Sequence, residues 1–233
     1  RQRQMCIRDS NYTLTCEDVT FADKAIRTKA DLNSVRYNGT NITGYFVLAN
    51  DILDYGAVST LTPSIKWSAD QGFMGTFDGN GYKVSGMNFT SVKNGFFVQI
   101  GQGAYLKDFT FDEVIAESGY QRSILAHFCF GGTSGGTVIE NVTIRFKQLK
   151  ATATSQQDAS SMLIGRSMNN TNLINVTLDA SGLDIPAWLY VLSQEVQNSC
   201  KFTNCTVKAN SFVEITRGNS TNWYSVTFED TDA

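Results

Sequence analysis

A chain of 233 residues with a formal net charge of −3 carries no basic footprint, which argues against nucleic acid or an anionic membrane surface as a partner. Charged residues make up only 18%, Pro occurs twice and Gly 19 times, so turns must come from Gly, Asn, Asp and Ser, and the solvent face from Thr, Asn and Ser. The length suits one elongated all-β domain; the single histidine, His127, cannot complete a familiar zinc set, and no apolar run approaches the ~18 residues of a membrane span.

The first ten residues stand apart. Arg3-Gln4-Met5-Cys6-Ile7-Arg8-Asp9-Ser10 resembles the in-frame translation of a transposase mosaic-end adapter used in sequencing libraries, so residues 1–10 are left out of the fold reading and the sequence is read as a metagenomic fragment. That leaves Cys16, Cys129, Cys200 and Cys205, which spell no Cys-x-x-Cys. Buried free thiols are expected, with a disulfide as the alternative. Residues 11–27 read as the end of an upstream domain or a linker, and residues 28–233 as a single β domain that could be cut short at its carboxy end. Ala22 to Val35 carries a weak helical pattern through Ala25, Ile26, Leu32 and Val35, with Thr28 or Asp31 available as its amino-terminal cap. Such a helix would cover the open end of a stack of strands, which otherwise exposes apolar surface and unpaired backbone.

Gly44 to Ile52 then reads as a strand running into an Asn-Asp turn, and Asp78-Gly79-Asn80-Gly81 as a tight turn between two strands. The same four residues are oxygen-rich, but an EF-hand loop needs further acidic ligands and a Gly at its sixth position, where Lys83 stands. From there a six-residue phrase recurs: apolar, any residue, Asp or Asn, apolar, Thr, apolar. It reads Leu106-Lys107-Asp108-Phe109-Thr110-Phe111, Ile139-Glu140-Asn141-Val142-Thr143-Ile144, Leu173-Ile174-Asn175-Val176-Thr177-Leu178 and Phe202-Thr203-Asn204-Cys205-Thr206-Val207. Val84-Ser85-Gly86-Met87-Asn88-Phe89 is read as an imperfect first copy. A spacing of roughly 30 residues is that of a repeat that buries its apolar face only against its neighbours. Period-two alternation puts the aliphatics inward and Thr110, Thr143, Thr177 and Thr206 outward. Asp108, Asn141, Asn175 and Asn204 fall at a corner, where Asn and Asp tolerate left-handed backbone and could hydrogen-bond up the stack. The predicted fold is therefore all-β: a right-handed parallel β-helix, or solenoid, with a short amino-terminal α-helical cap.

Gly44 to Ile52, Trp67 and Phe73 to Met87, followed by Gly95-Phe96-Phe97-Val98 and Leu106 to Phe111, resemble bacterial cell-surface proteins with GLUG-type right-handed parallel β-helix repeats. The resemblance implies a secreted or cell-surface module of a larger multidomain chain, used as a scaffold or adhesin, and it carries over no catalytic residue. Function is expected to be non-catalytic, in adhesion or contact with a polysaccharide or host-surface ligand. The alternatives are a polysaccharide lyase or glycoside hydrolase of β-helix type and a passive spacer. No cofactor, metal site or membrane insertion is expected, and a monomeric module is.

Trp188, Trp223 and Tyr224 are the candidates for glycan contact, against an alternative in which these aromatics serve the core or the carboxy-terminal end, as Tyr190 does by pointing inward. For the enzyme reading, Asp108 and Glu140 lie at similar places in successive copies, with Arg145, Lys147 and Lys150 following; solvated surface charge is the favoured account. Gly132-Thr133-Ser134-Gly135-Gly136 spells a nucleophile elbow, but the only histidine precedes it. Asn141, Asn175 and Asn204 also begin glycosylation sequons, because the phrase itself spells Asn-apolar-Thr.

Overall fold

The computed structural model describes residues 22–65, 68–119, 122–133, 135–153, 160–187, 189–197, 199–211 and 226–231. The chain opens with β1 (Lys24–Ile26), a five-residue helix α1 (Lys29–Asn33), β2 (Tyr45–Leu48) and β3 (Gly56–Ala57). Next come β4 (Thr76–Asp78), β5 (Lys83–Ser85), β6 (Met87–Asn88), β7 (Val98–Ile100) and the long β8 (Tyr105–Glu117). They are followed by β9 (Ala126–Phe130), the long β10 (Thr137–Lys150), β11 (Ser160–Ser161), β12 (Ile164–Asn169), β13 (Thr171–Ile174) and β14 (Thr177–Asp184). The last are β15 (Leu189–Tyr190), β16 (Ser193–Val196), β17 (Lys201–Thr203), β18 (Cys205–Ser211) and β19 (Val226–Asp230).

The fold is all-β, and the pairings among these strands are parallel. Parallel neighbours need a long crossover between them, which a repeat of roughly 30 residues supplies. A thirteen-stranded sheet follows the path β1-β2-β4-β8-β10-β14-β18-β19, with β3, β5, β6, β13 and β17 paired beside it; a four-stranded sheet runs β16-β12-β9-β7, and β11 pairs with β15. The larger sheet turns at fixed places. Asp108, Asn141, Asn175 and Asn204 all have φ between 50° and 57°, a conformation that costs an ordinary L-residue roughly 1–2 kcal/mol and that Asn and Asp relieve through local hydrogen bonds. On either side of this corner, Leu106, Phe109, Ile139, Val142, Leu173 and Val176 point into the core and are buried.

The amino-terminal half fills its core with rings. Phe73 packs on Phe97 at 5.1 Å, Phe97 on Phe77 at 5.6 Å, and Phe77 edge-on to Phe109 at 5.3 Å, geometries that aromatic quadrupoles favour. Phe111 packs on Phe109 at 5.0 Å, and along its register row the later strands carry the aliphatics Ile144, Leu178 and Val207.

Two expectations change. The helical pattern over residues 22–35 shrinks to Lys29–Asn33, because Thr28 and Asp31 form a capping box that starts the helix at residue 29, while Ala25 and Ile26 lie in β1 against Val47 and Leu48. The imperfect first copy is out of register. Phe77 and Asp78 lie opposite Leu106 and Lys107, whereas Val84 and Ser85 lie opposite Phe111 and Asp112. The counterpart of the Asp108 corner is therefore the Asp78–Gly81 turn, which holds two more residues than the later corners. There Asp78 accepts from the Asn80 N–H at 2.7 Å, and Asn80 and Gly81 take φ of 51° and 77°. Gly79 passes so close to the next strand that a Cβ would lie 2.2 Å from Phe109 Cβ and 2.5 Å from the Asp108 carbonyl oxygen. Gly86 (φ 74°) instead matches a second turn at Glu113 (φ 52°).

Candidate functional site

Two surfaces of unlike construction compete for the role of site. The first is the outer face of the larger sheet, where equal residues line up across strands. The Asn141 amide donates to Asp108 Oδ1 at 2.8 Å, Asn175 donates to Asn141 at 2.8 Å, and Asn204 donates to Asn175 at 3.2 Å. Beside this amide column, Thr110, Thr143, Thr177 and Thr206 are register neighbours, and Thr227 in β19 continues their row. The next outward column alternates in sign. Arg145 Nη1 lies 3.8 Å from Asp112 and its Nε 3.9 Å from Asp179, while Lys208 meets Glu229 at 2.7 Å. Repetition of like neighbours is what lets parallel strands stack without a slip of register.

At the top of this face sits a tighter polar cluster. Lys107 Nζ binds Asp78 at 2.6 Å and Asp108 at 3.3 Å, the Tyr45 hydroxyl donates to Asp78 at 2.7 Å, and the Tyr105 hydroxyl donates to Glu140. Burial pushes the Asp78 pKa up, but Lys107, Tyr45 and the Asn80 N–H outweigh it and leave the carboxyl below its usual range. Burial and the Glu140 carboxylate raise Tyr105 to about 12. Asp108 lies opposite Asn141 and Glu140 opposite Lys107, so the two acids named from the sequence are not register partners. Each of Asp78 and Asp108 is held by a cation, and Arg145 and Lys147 meet carboxylates at 3.8 Å and 3.5 Å. Charge on this face is spent on neighbours within the sheet.

The second surface lies on the four-stranded sheet, whose pairings of β7 with β9, β9 with β12 and β12 with β16 all shift register. Val98 and Gln99 of β7 face Ala126 and Phe128, so His127 is an extra residue in β9; Ala126 and Phe128 face Ile164 and Ser167, so Gly165 and Arg166 together oppose His127. Bulges of this kind re-aim side chains. Val98 carries φ 69°, and the Gln99 N–H donates to the Phe97 carbonyl at 2.8 Å, closing a three-residue turn. A β-branched residue in that conformation stores about 1–3 kcal/mol, a sum that surrounding structure must hold in place.

The bulged residues border an open-mouthed cavity of about 350 Å³. Thr62, Pro63 and Ile65 form one wall, and Lys93, His127 and Arg166 bring the basic groups of the other. Asn94 (φ 71°) donates to the Leu61 carbonyl at 3.1 Å and so ties the first wall to the second. His127 is 3% exposed, and its Nδ1, like the nearby Ser123 Oγ, is buried without a hydrogen-bond partner. Burial, assisted by the charge of Arg166, lowers the His127 pKa to about 4, so the ring is neutral at pH 7. A Cβ at Gly165 would lie 3.1 Å from Nδ1, so the strand passes the ring closely here. The sequence hinted at this site only through its lone histidine, since Lys93, His127 and Arg166 share no motif.

Trp188, Trp223, Tyr224, Cys16 and Ser134 lie outside the described residues, as does the adapter-like segment at residues 1–10. Tyr190 is buried. The Gly131–Gly136 loop joins β9 to β10, a strand-to-strand link rather than the strand-to-helix turn of a nucleophile elbow. Cys129, Cys200 and Cys205 are buried free thiols, and burial raises the pKa of each, Cys129 to about 12. Among the described residues no group of three His, Cys, Asp or Glu side chains could hold a metal ion, and no helix is long and apolar enough to cross a membrane. No protein-family model matches the chain, and no curated protein or solved structure matches it.

Proposed function

We propose that the chain is a right-handed parallel β-helix module that acts without catalysis, as a secreted or cell-surface part of a larger protein that contacts glycans or mediates adhesion. One observation carries the reading: the Asn and Thr columns run unbroken across β8, β10, β14 and β18, a surface that offers the same groups again at each strand spacing of ~4.8 Å. Solenoid surfaces bind extended ligands by such repetition. In this reading α1 closes the amino-terminal end of the stack. Leu32 of α1 is buried, and Lys29 reaches the Tyr55 carbonyl at 2.5 Å.

The lyase or hydrolase alternative has less in its favour. It calls for a carboxyl or a base poised to move a proton, whereas Asp78 and Asp108 share the Lys107 ammonium. The test is incubation of the purified chain with a panel of neutral and acidic polysaccharides, followed by affinity electrophoresis and assay of chain ends. Retardation by at least one polymer with no new ends is the expected result. New reducing ends or unsaturated uronates would overturn the non-catalytic reading, and no retardation by any polymer would leave the spacer as the better account.

A further inference from the structure

Ahead of the Asn corner, one outward row of the larger sheet holds a different residue on nearly every strand. It runs from Tyr45 in β2 through Thr76 in β4, Tyr105 in β8 and Val138 in β10 to Asn172 in β13. The two tyrosines lie two strands apart and are fixed in the same way. Tyr45 donates its hydroxyl to Asp78 and Tyr105 to Glu140; each acceptor lies on the next strand, two residues past the tyrosine's register partner. A side chain that reaches diagonally to the neighbouring strand lies along the sheet rather than standing off it. Both tyrosines are half-buried, and among the described residues neither packs on another aromatic ring. Lys107 Nζ sits 5.9 Å from the Tyr105 ring centre, at the outer limit of a cation–π contact.

This construction selects a ligand. With both hydroxyls bound to carboxylates, what each tyrosine offers is its ring face, and an aromatic face attracts C–H groups. The C–H face of a pyranose supplies them. In an equatorially linked sugar chain successive rings turn over, so like faces recur at every second sugar. The tyrosines recur at every second strand, ~9.6 Å at the spacing of a sheet, close to the length of two sugars in an extended chain. Charge narrows the class further. Asp78, Asp108 and Glu140 surround the rings and outnumber Lys107, which Asp78 and Asp108 share, and the next cation in the row, Lys201, lies three strands beyond Tyr105. Such a surface repels a polyanion and leaves a neutral chain undisturbed.

We propose that Tyr45 and Tyr105 form a paired platform for a neutral, equatorially linked polysaccharide that crosses the strands, with the C–H faces of alternate sugars on the two rings. The inference rests on the glycan-contact reading and names its ligand class. The experiment is calorimetric titration of the whole chain with cello-oligosaccharides and β-manno-oligosaccharides of two to six residues, beside hexagalacturonate. Binding of either neutral series is expected, at least tenfold tighter for the tetrasaccharide, which reaches both rings, than for the disaccharide, and at least tenfold tighter for the hexasaccharide than for hexagalacturonate. Tyr45→Ala and Tyr105→Ala should each weaken hexasaccharide binding at least tenfold, and Arg145→Gln less than twofold. Tyr105→Leu keeps an apolar cover without a flat ring, so it reads the platform even where Tyr105→Ala fails to fold, and it should bind as weakly. Equal affinity for the disaccharide and tetrasaccharide, tighter binding of hexagalacturonate, or undiminished binding by Tyr45→Ala and Tyr105→Leu would overturn the proposal. Binding that survives in these tyrosine variants but is lost in Thr177→Ala would sink the platform alone and leave the glycan-contact reading standing; no binding of any glycan would sink both.

Discussion

The two sheets differ in where their register shifts fall. In the larger sheet, the row from Thr110 through Thr143, Thr177 and Thr206 to Thr227 passes without a shift, and the shifts lie beyond it, after Ile144 between β8 and β10 and after Ala180 between β14 and β18. In the four-stranded sheet every pairing slips, and each slip falls between the same two rows, on either side of His127. Unbroken rows give a surface that is uniform and self-satisfied, with amides and charges bound to their own kind. Broken rows leave concavity, strain at Val98 and polar atoms without partners. The repeat thus builds the scaffold, and departure from the repeat builds the candidate site.

Phe97 stands where the two sheets meet, packed on Phe73, Phe77 and Phe96, so Phe97→Ala should cost about 4 kcal/mol. Urea unfolding followed by circular dichroism and by hydrogen exchange should show both sheets lost together; separate transitions would divide them into independent units. The buried imidazole should make the four-stranded sheet the acid-sensitive one. His127 titrates near 4 in the fold against about 6.5 unfolded, so its stabilising contribution is full above pH 6.5 and falls away as pH drops toward 4. That slope amounts to about 3 kcal/mol in total, and His127→Gln should flatten the urea midpoint between pH 6.5 and 5, where carboxylates are quiet. On the ladder, Asn175→Ala should cost about 2 kcal/mol, the sum of an unfavourable left-handed corner and lost amide bonds. Asn175→Gly keeps the corner and should cost about half as much; equal costs would mean that the amide bonds alone matter. Arg145 is more than half exposed and its ion pairs are long, so Arg145→Gln should change stability by no more than about 0.5 kcal/mol and only at low salt.

The sequence made the larger sheet readable because its corner needs a particular residue. Only Gly, Asn or Asp takes φ near 50° at little cost, so Asn141, Asn175 and Asn204 recur visibly, and the Thr that follows keeps the alternation in view. Reading failed where the corner changed length. At Asp78–Gly81 the turn has two additional residues, and the eye moves to Gly86, which serves another turn. The helix was overextended because Ala25 and Ile26 satisfy a 3.6-residue period by chance while pairing as a strand. Of the cavity, only the lone histidine stands out in the sequence. Lys93, His127 and Arg166 come from three repeats, and bulges leave no signature in residue type, so only the folded chain brings them together.

The stacked register underlies every other claim, and paired cysteines test it most directly. With Cys6 and Cys16 changed to serine, Thr143→Cys with Thr177→Cys places two thiols on adjacent parallel strands in matched register, within the 4.4–6.8 Å Cα separation that a disulfide spans. Thr143→Cys with Thr206→Cys places them two strands apart, beyond that reach. The account predicts rapid intramolecular oxidation of the first pair and none of the second. Oxidation of the second pair, or of neither, would contradict it.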